Sequence, residues 1–142
     1  MLRETYPKII KERFHAGKNI TVIHGDLHPG NVFLSSGTDA EVKFIDMEAV
    51  RMGLCTEDLA MLLALHIEPD AKKAEPMLRF YYSRLCESGN IKDYPYSDFI
   101  RDYKLSVMES MFFPIRLINR GIFDFHMRDK AMRAFETFVL AD

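Results

Sequence analysis

The residues with the strongest strand character are crowded between positions 20 and 45, and the remainder of the chain carries helical spacing. That division limits the fold to one small β element set against several helices. Ile20-Thr21-Val22-Ile23 is β-branched throughout and reads as a short buried strand. A polar loop from His24 to Gly30 follows, then Val32-Phe33-Leu34 as a second strand. Ser35-Ser36-Gly37-Thr38-Asp39 is turn chemistry, and Glu41-Val42-Lys43-Phe44-Ile45 alternates as a half-buried strand does. Such an element brings residues 24–31 and 46–48 together through its loops.

Ahead of it, Ile9, Ile10 and Phe14 form a helical stripe over Thr5–Ala16 that Gly17 ends. Behind it, Thr56 is placed to cap a helix, Glu57–His66, whose first turn holds Glu57 and Asp58. Glu68-Pro69-Asp70 starts a second helix that runs to Ser88. A third begins at Ser97 and carries Phe99, Ile100, Tyr103, Val107, Met108 and Met111; Pro114 should kink or divide it. Gly121 ends that segment, and Phe125–Leu140 is the last helix. The fold class is α+β, mainly α, with residues 1–142 expected as one domain. The aromatic residues Tyr81, Tyr82, Phe99, Tyr103, Phe112, Phe113, Phe123, Phe125, Phe135 and Phe138 are expected chiefly in the core, a few lining a cleft. Met61, Met77, Met108, Met111 and Met132 read as core filler. Asp93, Asp98, Asp102 and Glu109 read as a solvated helix face, with attraction of a cationic substrate as the second reading.

Composition narrows the partners. A formal charge of −2, with no Lys/Arg run longer than Lys72-Lys73, argues against a nucleic-acid surface. With 48% hydrophobic and 28% charged residues the chain is ordinary for a folded soluble protein. No stretch reaches the roughly 18 apolar residues that a membrane helix needs. Cys55 and Cys86 form neither a disulfide framework nor a metal spacing and read as reduced thiols, which fits a cytoplasmic location.

The chemistry lies in His24-Gly25-Asp26-Leu27-His28-Pro29-Gly30-Asn31 and in Ile45-Asp46-Met47-Glu48. These stretches offer a carboxylate, an amide oxygen and a second carboxylate, each at the end of a short strand. Phosphoryl transfer uses such a set: one carboxylate orients the attacking hydroxyl, while hard oxygen ligands hold Mg²⁺ on the phosphates. Two other readings fail. His24 and His28 lack a third zinc ligand at useful spacing. Gly25-Asp26-Leu27-His28 also opens like the metal-dependent phosphoesterases, whose further blocks are missing here.

These blocks, with Asp58-Leu59-Ala60, resemble the aminoglycoside phosphotransferase and choline kinase family, relatives of the protein kinases. The likeness covers about residues 20–65. It implies the C-terminal lobe of a protein-kinase-like fold, with Asp26 as catalytic base and Asn31 and Asp46 as Mg²⁺ ligands. Asp58 would anchor the loop by bonding its backbone amides, and His24 would support it. Glu48 and His28 would reach either the surroundings of the metal or the substrate. ATP would be the phosphoryl donor and a small hydroxyl or amino-alcohol compound the acceptor. Where the family carries a Gly-Asp-Pro block, this sequence has Gly53-Leu54. No Gly-x-Gly-x-x-Gly loop and no Val-Ala-x-Lys strand occurs. The nucleotide-binding lobe is therefore expected to be absent from these residues, the chain alone to be inactive, and its uncovered face to favour self-association. The alternative is a non-catalytic kinase-like lobe used as an interaction module.

Overall fold

The computed structural model describes residues 2–36, 41–67, 69–89, 91, 93–122 and 124–140, with side chains from Tyr6 onward. The expected turn at Gly37-Thr38-Asp39, the helix boundary at Glu68 and the aromatic Phe123 lie outside these residues.

Helix α1, Leu2–Ala16, leads into strand β1, Thr21–Ile23. After the polar loop come β2, Val32–Leu34, and β3, Val42–Phe44, then β4, Arg51–Gly53. The β structure is two antiparallel pairs rather than one sheet. β1 pairs with β4, Thr21 opposite Gly53, and β2 pairs with β3, Val32 opposite Phe44. β4 was not expected, because Arg51-Met52-Gly53 holds no β-branched residue. Asp46, at φ +58°, turns the chain out of β3, and a 3-10 turn over Met47–Ala49 precedes β4, which lies alongside β1.

The rest is helical. Helix α2, Thr56–Ala60, runs on as a wider π-type turn, Met61–His66. Then come α3, Ala71–Glu87, α4, Tyr96–Ser110, and α5, Phe112–Asn119. α6, Phe125–Phe135, ends in a second wide turn, Glu136–Leu140. The α+β, mainly α reading holds. α2, α3, α4 and α6 meet over a core that includes Leu63, Leu78, Phe99, Tyr103, Val107 and Phe138. No described helix is long and apolar enough to cross a membrane.

Several local expectations are corrected. Thr56 does not cap α2; its hydroxyl is buried against that of Ser106 at 2.8 Å, and the exposed-end role falls to Glu57, whose Oε1 accepts the Leu54 N–H at 2.7 Å. Pro114 divides the segment as expected: α4 ends at Ser110, four residues before it, and Pro114 falls in the first turn of α5, where a missing N–H costs no helical bond. Phe125, Met77 and Met132 are exposed rather than packed in the core. Asp102 is no solvated acid: it is fully buried and grips Arg13 of α1.

Candidate active site

The loop between β1 and β2 is built from its backbone outward. Asp58, in the first turn of α2, accepts the N–H of His24 through Oδ2 at 2.7 Å and of Gly25 through Oδ1 at 2.9 Å. Both carboxylate oxygens therefore hold the start of the loop. Asp58 is half-buried and also faces the cleft described below.

His24 is buried, and its two ring nitrogens have separate tasks. Nδ1 accepts the Asp26 N–H at 3.3 Å, which leaves Nε2 to carry the proton and donate to the Ile45 carbonyl at 2.8 Å. This tautomer spends both nitrogens on the loop and leaves none for proton transfer. The same Ile45 donates its N–H to the Asn31 carbonyl at 3.1 Å. Ile45 thus ties both ends of the polar loop to the residue just before Asp46. Loop 24–31 and turn 46–48 do come together.

Asn31 is buried and its amide nitrogen donates to the Asp26 carbonyl at 3.0 Å, leaving Oδ1 as its remaining acceptor. Asp46 is exposed and makes no capping bond to the turn that follows. Glu48, in that turn, is exposed as well. His28 accepts the Gly30 N–H on Nδ1 at 3.1 Å, which directs Nε2 toward Asp26 Oδ2, 3.8 Å away. Its ring also lies 5.3 Å from that of His66, whose pKa is lowered chiefly by burial and next by the nearby His28.

Asp26, with its side chain 38% exposed, opens onto a cleft of about 470 Å³. Volume on that scale accommodates a small organic molecule. Of Asp26, Asn31 and Asp46, only Asp26 lines the cleft. Asn31 is turned inward by its bond to the loop carbonyl, while Asp46 stands out in solvent. Among the described residues no three His, Cys, Asp or Glu side chains gather closely enough to hold a metal ion. An Asn amide oxygen with Asp carboxylates remains a hard-oxygen set of the kind Mg²⁺ takes when phosphates complete its shell.

The far wall of the cleft comes from α4 and α5 and was not foreseen. Ser106, Glu109 and Ser110 line it, with Phe113, Arg116 and Arg120 beyond. Most charges there are paired: Arg51 donates to Glu57 at 2.7 Å and Arg116 to Glu109 at 2.9 Å. Tyr6 of α1 also faces the cleft, and its hydroxyl has no hydrogen-bond partner among the described residues. Burial first, and the Glu57 carboxylate second, push its pKa up. Ser106, Glu109 and Ser110 follow one another at helical spacing in α4, a signal from which this wall was readable. Leu54, which stands in the family's Gly-Asp-Pro block, is fully buried and takes no part.

One glycine is irreplaceable in this loop. Gly25 sits at φ +80°, and a Cβ there would fall on the backbone carbonyl of Ala49, behind the 46–48 turn. Gly17 has φ +59° but open space around it. Gly17→Ala should therefore cost about 1 kcal/mol from backbone strain alone. Gly25→Ala should cost at least about twice that, because strain and collision add. Urea denaturation of the two variants checks this; equal losses would mean that the Ala49 contact gives way freely.

Comparison with known families identifies the chain: the family model described as "Phosphotransferase enzyme family" matches residues 3–89, more than half of the chain, and the protein belongs to that family. No curated protein and no solved structure matches it. The match ends with α3, so the α4–α5 wall of the cleft lies beyond it.

Proposed function

We propose that this chain is the catalytic lobe of an ATP-dependent phosphotransferase that passes the γ-phosphoryl group of ATP to a hydroxyl of a small molecule. The observation that carries the reading is the loop itself. Asp26 is an accessible carboxylate on a backbone held by Asp58 and His24, next to a cleft of ligand size. Asp26 accepts or orients the acceptor's hydroxyl proton. Asn31, through Oδ1, and Asp46 are the residues that would hold Mg²⁺. Mg·ATP, when bound, supplies the phosphoryl group and neutralises the charge that develops on it. The acceptor is a small hydroxyl or amino-alcohol compound in the Asp26 cleft, and the setting is cytoplasmic.

The 142 residues contain no glycine-rich phosphate loop and no matching lysine strand. Positioning and electrostatics supply nearly all of the catalysis in this chemistry. The chain by itself is therefore expected to bind Mg·ATP with a Kd of about 1 mM, some 4 kcal/mol, and to turn over no acceptor. Binding is read by adding Mn·ATP and following paramagnetic broadening of backbone amides. Residues 26, 31 and 46 should broaden, and Cys86 on α3 should not. Broadening elsewhere, or none, removes the metal assignment and favours a non-catalytic interaction module. Micromolar affinity with steady ADP release, abolished by Asp26→Ala, would instead show that the chain is a complete enzyme.

A further inference from the structure

One half-buried imidazole beside the polar loop takes no part in the proposed transfer. His66 closes the wide π-type turn Met61–His66, a kind of turn that is rare and recurs at functional sites. Neither of its ring nitrogens bonds a described residue; its contact is with another ring, that of His28, 5.3 Å away and tilted by 37°. Gly30 meets the same His28 ring at its edge, where the Gly30 N–H donates to Nδ1 at 3.1 Å. A Cβ on Gly30 would fall 2.8 Å from His28 Cε1 and 3.0 Å from Nδ1. Gly30 does not have a positive φ, so room for that ring, and not backbone freedom, is what calls for glycine. Two contacts therefore hold the His28 ring, one from within the loop and one from the 61–66 turn. Burial, then the neighbouring His28 and Lys130, lower the pKa of His66, while Asp26 acts the other way, so His66 meets His28 as a neutral ring.

The geometry points to His66 as a positioning residue for Asp26, acting through His28. Packed on His28, it keeps that ring where Gly30 can hold Nδ1 and where the Nε2 proton faces Asp26 Oδ2. One oxygen of the Asp26 carboxylate is then directed at His28, and the other is left for the acceptor's hydroxyl. The Nε2–Oδ2 separation of 3.8 Å is longer than a hydrogen bond. Contacts of this kind are often long without substrate and tighten when it binds. The competing role is packing alone: a ring that only fills space beside the loop would leave the orientation of Asp26 unaffected. The use made of Asp26 rests on the phosphotransferase reading, whereas its orientation can be measured without nucleotide.

Nuclear magnetic resonance of the ¹⁵N,¹³C-labelled chain tests it. The bond from the Gly30 N–H to His28 Nδ1 joins two nitrogens, so a scalar coupling crosses it only while the ring is held with Nδ1 bare. The unmodified chain should show that coupling, with the Asp26 χ1 angle in one staggered rotamer. His66→Ala should lose the coupling and let Asp26 average over rotamers, with an unchanged far-ultraviolet spectrum. His66→Phe, which restores a ring without nitrogens, should recover both. Gly30→Ala should also remove the coupling, because its Cβ collides with the His28 ring. Should His66→Ala fail to fold, the unmodified chain and His66→Phe decide. No coupling in the unmodified chain, an Asp26 that keeps one rotamer in His66→Ala, or a His66→Phe chain that recovers neither signal each overturns the inference. Absence of the Mn·ATP broadening would instead remove the phosphotransferase reading and leave these signals as they are.

Discussion

Replacing Arg13 with methionine should cost the chain about 3–5 kcal/mol, the penalty of leaving a buried charge without its partner. Asp102 is completely buried in α4, and the Arg13 side chain is only 15% exposed. The guanidinium meets the carboxylate at two points, Nη1 with Oδ2 and Nη2 with Oδ1, the second at 2.7 Å. The Tyr94 hydroxyl donates to Oδ2 as well, at 2.6 Å. All of this lies in the core layer beside Phe99 and Tyr103, where water cannot replace a lost donor. Methionine keeps the apolar stem of Arg13 and removes the fork, so the loss reports the charge contact rather than packing. The melting temperature should fall by about 10 °C. Lys8→Met gives the contrast, because Lys8 meets Glu12 at 4.0 Å with both side chains mostly exposed, and its effect should be under about 1 kcal/mol. A second contrast is sharper: Arg13→Met with Asp102→Leu removes both charges and should recover most of the loss. Thermal and urea denaturation read all three. A loss below about 1 kcal/mol for Arg13→Met would mean that the carboxylate finds water or another donor.

That ion pair shows where sequence reading runs out. Arg13 and Asp102 are 89 residues apart, and spacing along the chain says nothing about such a pairing. The burial of Asp102 was nonetheless legible, because it falls on the same α4 face as Phe99, Tyr103, Ser106 and Val107. Reading it with Asp98 and Glu109 as one solvated face ignored that phase. The polar loop was legible for the opposite reason: its contacts are local. Pro29, Gly30 and Asn31 form a tight turn whose bonds span five residues or fewer, so composition and spacing dictate the geometry. β4 was invisible because Arg51-Met52-Gly53 has no strand preference of its own; pairing with β1 makes it a strand. The exposure of Phe44, Ile45 and Met47 was also hidden, since alternation marks which residues share a face and not whether anything packs on it.

The candidate site divides along the same line. The family match and the loop motifs fall within residues 3–89, and they concern the backbone that carries Asp26, Asn31 and Asp46. The wall opposite Asp26 is built by α4 and α5, from residues that no motif marks. The loop side of the cleft is thus the legible half, and the opposite wall is the half that the packing of helices assembles. On the proposed reading, acceptor choice rests with residues such as Glu109, Phe113 and Arg116, which line the cleft.

Asp58→Ala should destabilise the chain by about 2–4 kcal/mol, because it strands two backbone donors that no other described residue accepts. Oδ2 takes the His24 N–H and Oδ1 the Gly25 N–H, at 2.7 and 2.9 Å. Gly25 itself is pressed against Ala49, so the loop cannot swing out to let water reach those amides without also losing its contact with the turn behind Asp46. The damage should therefore be local as well as global. Amide exchange at His24, Gly25 and Asp26 should speed up more than exchange in α3, and the Ile45 N–H, which bonds Asn31, should follow them. Asp58→Asn separates charge from geometry: one side-chain oxygen remains as acceptor while the amide nitrogen faces the second N–H, so about half of the loss should persist. Denaturation with exchange on the wild type and both variants makes the measurement. If Asp58→Ala lowers stability without quickening exchange at His24 and Gly25, the carboxylate acts through α2 alone and the loop holds its shape by other means.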